Sequence, residues 1–150
     1  MFQSAACGAG VAALLTATPA GATEGDQRIT VTPNVGLRDG QVVQVDGTGW
    51  PDPRFDLQSW GLIQCMGTTF NSAISRCGNP QAIPESEISS SGSFSVDYAV
   101  RRSFRSYDDT ATVTCDDPGE CSVVAFVLVD SPSRPGLLEA SAPTSFAAPK

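Results

Sequence analysis

Between Ser93 and Arg102 the chain alternates: Phe94, Val96, Tyr98 and Val100 are apolar, with Ser95, Asp97, Ala99 and Arg101 between them. Successive side chains of an extended strand point to opposite faces, so this stretch reads as a strand with one buried face. Nothing beyond residue 22 sustains a 3.6-residue period, and Gly, Pro, Asp and Asn turn signals recur roughly every ten residues. A chain of this kind can bury its apolar faces only by stacking sheets.

Other strands follow from the same signals. Ile29 to Thr32 is a β-branched run stopped by Pro33-Asn34. The turn dipeptide Asp39-Gly40 leads into Gln41 to Gly47, and Trp60 to Met66 reads as a third strand. Ala111 to Cys115 and Ser122 to Val129 form a further pair, and a last strand is expected around Leu137 to Phe146. About seven short strands joined by polar turns predict an all-β, two-sheet sandwich.

The first 22 residues carry no charge, Ala5 to Ala17 is mildly apolar, and Ala20-Gly21-Ala22 has the A-x-A form of a cleavage site. Residues 1–22 therefore read as a secretory signal peptide, too short in its apolar run to anchor the chain as a membrane span. A flexible N-terminus is expected at 23–28, one β-sandwich domain at 29–146, and a flexible C-terminus at 147–150. Cys7 leaves with the leader, and Cys65, Cys77, Cys115 and Cys121 remain. An even number suits an exported, oxidised protein, and the chain is expected to be secreted.

Four cysteines permit three pairings. An antibody-type bridge between sheets would enclose a tryptophan, but Trp50 and Trp60 both precede Cys65. Local pairings, each closing a hairpin, suit the spacing better. No C-x-x-C is present, so neither zinc nor thiol redox chemistry is expected.

Composition narrows the function. There are 9 Lys and Arg against 16 Asp and Glu, for a net charge of −7, and no His. Nucleic-acid grooves need a basic stripe to displace counterions, so direct nucleic-acid binding is not expected. Without His the usual general base and the commonest metal ligand are both missing. No G-x-S-x-G elbow is present, and Asp108-Asp109, Asp116-Asp117 and Glu120 lack the spacing of a calcium loop. Neither an enzyme nor a metal site is expected.

Strand Ser122 to Val129 is apolar on both parities. Val123, Ala125, Val127 and Val129 form a uniform core face, yet Val124, Phe126 and Leu128 follow Ser122 on the other. A solvent-facing strand would avoid that second set, so something must cover it: a loop, a ligand or a partner.

Several segments resemble the neocarzinostatin family of enediyne-carrying apoproteins. The opening from Thr30 to Trp50 is similar to the family's first two strands. Gln64-Cys65 followed by Cys77-Gly78-Asn79-Pro80 resembles its first disulfide hairpin, and Thr112 to Cys121 its second cysteine loop. Val100-Arg101-Arg102-Ser103-Phe104 matches the family's VRRSF segment letter for letter. The likeness runs in order from about Ile29 to Val129.

That resemblance implies an immunoglobulin-like, seven-stranded antiparallel β-sandwich with local disulfides Cys65–Cys77 and Cys115–Cys121. It further implies a secreted, monomeric apoprotein with a cleft holding a non-covalent, apolar, aromatic chromophore. DNA damage and antibacterial activity would then reside in the released small molecule. On the family pattern the candidate cleft residues are Gln64, Gly67, Ile83, Tyr107, Ser122, Val124 and Phe126. Several depart from it: Gly67 and Ile83 stand where aromatics are expected, and Val124 and Phe126 would fill space. The alternative is an immunoglobulin-like cell-envelope or adhesion module without a chromophore. Arg102, on the inward parity at a strand end, is expected at the sandwich rim, reaching a carboxylate or backbone carbonyls.

Overall fold

Residues 26–54, 57–69, 74–130 and 136–148 are described by the computed structural model. The strands are β1 (Arg28–Thr32), β2 (Val42–Thr48), β3 (Leu57–Met66), β4 (Gln81–Ala82), β5 (Phe94–Ala99), β6 (Ser103–Arg105), β7 (Thr112–Thr114), β8 (Cys121–Asp130) and β9 (Gly136–Thr144). Three of them pair as β1-β2-β5 and four as β4-β3-β8-β9, while β6 and β7 form a separate ribbon. All the strand pairings are antiparallel. The two larger sheets form the anticipated sandwich, but one expected pairing is replaced. Thr112–Thr114 pairs with β6 in the ribbon and not with β8, which lies between β3 and β9, and the short β4 completes the seven strands.

Alternation sets the core. In β2, Val43 and Val45 turn inward while Val42 and Gln44 face water, and β5 buries Phe94 and Tyr98. They meet Trp60 and Leu62 of β3 and Val123, Ala125 and Val127 of β8 in one buried cluster. At one end Trp50 packs obliquely on Trp60 and Phe94, with ring centroids 5.7 and 5.9 Å apart.

The two open sides of the sandwich are finished differently. Past the cis Thr32–Pro33 bond the chain crosses over and runs parallel to the C-terminal segment. There Leu37 N donates to Ser145 O at 3.1 Å and Ala147 N donates to Leu37 O at 2.8 Å. On the opposite side the edge strands β4 and β5 are joined by a side chain, Gln81 Nε2 donating to the Asp97 carbonyl at 3.0 Å.

Both local disulfides are present, Cys65–Cys77 and Cys115–Cys121. On the chain-entropy model each contributes ~2–3 kcal/mol by restricting the unfolded chain.

Some boundaries differ from the sequence reading. The strand expected from Ser93 to Arg102 ends at Ala99, because Val100 leaves the register to bond the β1–β2 connection. Gly40 N donates to Val100 O at 2.7 Å, and Arg102 N donates to Asp39 Oδ1 at 3.0 Å. The chain then restarts as β6. Strand β4, only two residues between Pro80 and Pro84, is too short to leave a period in the sequence. The last strand stops at Thr144, and Phe146 instead bridges to Leu37.

Gln27, Arg28 and Ala147, expected in flexible tails, are tied into the sandwich: Gln27 is buried, Arg28 opens β1, and Ala147 bonds Leu37. Residues 1–25, with the expected signal peptide, lie outside the described residues. Arg102 sits at the rim, donating to the Ala147 carbonyl, lying over the Phe146 ring and approaching Asp116 at 3.6 Å.

Candidate functional site

The register of β3 against β8 places Gly61 opposite Phe126, Ile63 opposite Val124 and Cys65 opposite Ser122. Their neighbours Trp60, Leu62, Val123 and Ala125 belong to the core between the sheets. By the alternation of strands, the first set must face outward from the four-stranded sheet. An antiparallel sheet of a sandwich ordinarily wets that face.

Here the β3–β8 part of the outer face is buried, while β9 brings half-buried Glu139 and Ser141 and exposed Pro143 onto the same side. Ile63, Cys65, Cys77, Val124 and Phe126 form a second apolar cluster, with Leu137 of β9 packed against it. Phe126 lies across the floor: a Cβ added to Gly61 would come within 2.6 Å of its ring. Glycine at 61 is what lets the ring lie down.

Within this face one polar group is unsatisfied. The Ser122 hydroxyl is fully buried and has no hydrogen-bond partner. Leaving such a hydroxyl unpaired costs roughly 1–3 kcal/mol, so it acts as a stored demand for a donor or acceptor. Val124, the next residue on the same face of β8, is apolar and buried. A ligand that is apolar overall and carries one hydrogen-bonding atom would answer both features.

The seven residues anticipated from the sequence fall into three groups. Ser122, Val124 and Phe126 share the outer face. Ile83 belongs to the core between the sheets, and Gln64 is turned to the same side. The Gln64 carboxamide is committed, Nε2 donating to Arg101 O at 2.6 Å and Oε1 accepting from Arg101 N at 2.9 Å. Gly67 and Tyr107 are exposed at the rim, where Gly67 adopts a positive φ of 94°.

The rim is tied to the disulfides. Gly67 N donates to Glu120 O at 2.8 Å, linking the two cysteine loops, and Tyr107 N donates to Cys77 O at 2.7 Å. Below Tyr107, the Thr110 and Ser106 hydroxyls donate to Asp108 Oδ1 at 2.6 and 2.8 Å. These bonds hold the Asp108 carboxyl below the ordinary carboxylate range and fix the turn at the ribbon tip.

Gly61, Ile63 and Leu137 were not singled out from sequence. Their signal was present, since Trp60 to Met66 is largely apolar on both parities, as Ser122 to Val129 is. Among the described residues no group of three or more Cys, Asp or Glu is placed to hold a metal ion.

Comparison with known proteins gives one family match: the model of the neocarzinostatin family covers residues 29–144. The solved structure of macromomycin is similar over 81% of this chain and 99% of its own, at 24% identity and a TM-score of 0.52. That of apokedarcidin aligns over 81% of this chain and 98% of its own, at 22% identity and a TM-score of 0.44. No curated protein sequence matches the chain. At such identity the likeness to macromomycin speaks to the fold.

Proposed function

Because the chain belongs to the neocarzinostatin family, we propose that it is a secreted, monomeric apoprotein that binds and shelters an apolar, aromatic small molecule of the enediyne type. The observation that carries this reading is the buried outer face of the four-stranded sheet with the unpaired Ser122 hydroxyl within it. A stand-alone sandwich has no use for a second apolar face, and family membership supplies an occupant for it.

On this reading the protein's work is binding, orientation and exclusion of water. The bound chromophore supplies the reactive chemistry, including any DNA damage and antibacterial effect. Ile63, Val124 and Phe126 give the apolar wall, and Ser122 gives the ligand a single hydrogen bond that fixes its orientation. A net charge of −7 fits a carrier whose ligand, and not its surface, meets nucleic acid.

Two local disulfides and the leader-like residues 1–22 support export. No helix among the described residues is long and apolar enough to cross a membrane. The cell-envelope or adhesion alternative draws no support from the family match.

The test is to purify the protein from its native producer and record its near-ultraviolet and visible absorbance, with mass analysis of an organic extract. A co-purifying aromatic chromophore is expected. No such molecule, together with no response of the Val124 methyl signals to polyaromatic ligands, would overturn the reading.

A further inference from the structure

A cleft lies on the other side of the β6–β7 ribbon from the outer cluster, where the sheets part between β4 and β5. It encloses about 330 Å³ and is lined by residues that include Tyr98, Asn79, Gln81, Arg101 and Phe104. The ribbon separates it from the outer face: Phe104 packs on Gly78, where an added Cβ would sit 3.0 Å from the ring. Gly78 adjoins Cys77 of the outer cluster, and Tyr107 pins the ribbon to that same residue. The cleft therefore has walls of its own, apart from the outer cluster.

Charge sets this cleft apart. The protein carries 16 acidic residues, yet among the described residues none lines it, while two basic ones do, Arg101 and Arg105. Arg105 is spent on Asp109, with Nε donating to Oδ1 at 2.8 Å. Arg101 differs. Its backbone is gripped by Gln64, but its exposed guanidinium makes no hydrogen bond or ion pair with any described residue and rests beside Gly40. A free guanidinium is a planar fork matched to a carboxylate. Beside it stand two exposed amides, Asn79 and Gln81, and the half-buried ring of Phe104. The Tyr98 phenol at the back is buried and stays protonated, so it places no negative charge in the cleft.

From this juxtaposition we infer that the edge cleft binds a small aromatic carboxylate, with its anion on Arg101 and its ring against Phe104. An isolated surface charge pair is worth little because water screens it, so the ring contact is needed as well. The ligand must carry both parts.

The test is an NMR titration of the full oxidised protein with three probes: phenylacetate, which has ring and charge, 2-phenylethanol, which has the ring alone, and acetate, which has the charge alone. Phenylacetate is expected to shift the amides of Asn79, Ala99 and Arg101 saturably, and the other two to do so far more weakly. Arg101→Gln should weaken phenylacetate about tenfold, as loss of a charge-assisted hydrogen bond does. Phe104→Leu should weaken it as well, while Arg28→Gln, on the far edge strand, should leave it unchanged. Retention of the wild-type amide spectrum shows that each variant is folded. No saturable shift, equal binding of acetate, indifference to Arg101→Gln, or shifts confined to Ser122, Val124 and Phe126 would each overturn the inference. A chromophore-free protein that still binds phenylacetate here would separate this result from the fate of the carrier reading.

Discussion

Strands β3 and β8 bury apolar side chains on both faces of the four-stranded sheet, but the two faces differ. Toward the three-stranded sheet, Trp60, Leu62, Val123, Ala125 and Val127 join one continuous core. The outer side holds a smaller cluster braced by a disulfide. Each side carries one buried unpaired polar group, the Trp60 indole N–H toward the core and the Ser122 hydroxyl on the outer side. The faces therefore differ in size and bracing, and on the proposed reading the inner one serves stability and the outer one a guest.

That contrast can be broken by mutation. The largest effect is expected at the inner face, where Leu62→Ala should cost ~2–5 kcal/mol in denaturant unfolding. If the loss were under about 1 kcal/mol, the inner face would not be the stabilising one. Next comes the floor of the outer face. Gly61→Ala forces the Phe126 ring aside and should cost ~1–3 kcal/mol as overpacking, with altered capacity for polyaromatic ligands. Unchanged stability and unchanged ligand capacity would show that Phe126 does not depend on Gly61.

Smaller effects sharpen the boundary between framework and site. Arg102→Ala loses the bond to the Ala147 carbonyl and the contact with Phe146, and should cost ~1–2 kcal/mol. Arg101→Ala should fall within about 0.5 kcal/mol of wild type, because its guanidinium holds nothing together. Equal losses for the two would refute the assignment of Arg102 to the framework and Arg101 to the cleft.

Burial pushes the Tyr98 phenol up to about 12, against a hydrogen bond from the Gln64 backbone. Folding thus favours the protonated phenol. The stability this contributes is complete below the ordinary tyrosine value of about 10 and is lost as pH rises through about 12. Tyrosinate absorbance, taken as the difference between wild type and Tyr98→Phe, should rise in that upper window. A rise centred at the ordinary value would mean that Tyr98 is not buried in solution.

Much of this was legible in the sequence, and the reasons are physical. The period of two in β5 and the double parity of β8 gave the sandwich and its second apolar face, because both are local properties of a strand. The VRRSF segment and the spacing of the cysteines carry the family resemblance in the sequence itself. Ile83 was misplaced relative to the outer face because its direction is set by β4, a strand of two residues with no readable period. The commitment of Gln64 to the Arg101 backbone was hidden as well, since that contact spans 37 residues and depends on how the two sheets close. Val100 shows the same limit, because its alternation continues past the point where its hydrogen bonds change partner.

The most direct test of the central claim is an NMR titration of the chromophore-free protein with a flat polycyclic probe, 2-aminoanthracene. The two sides of β8 are read separately. Saturable shifts of Ser122, Val124 and Phe126, with Val123, Ala125 and Val127 nearly still, are predicted, and Ser122→Ala should weaken them by about threefold to tenfold, the worth of one neutral hydrogen bond. Shifts distributed equally over both sides of β8, or none at all, would contradict the assignment of the outer face to a guest.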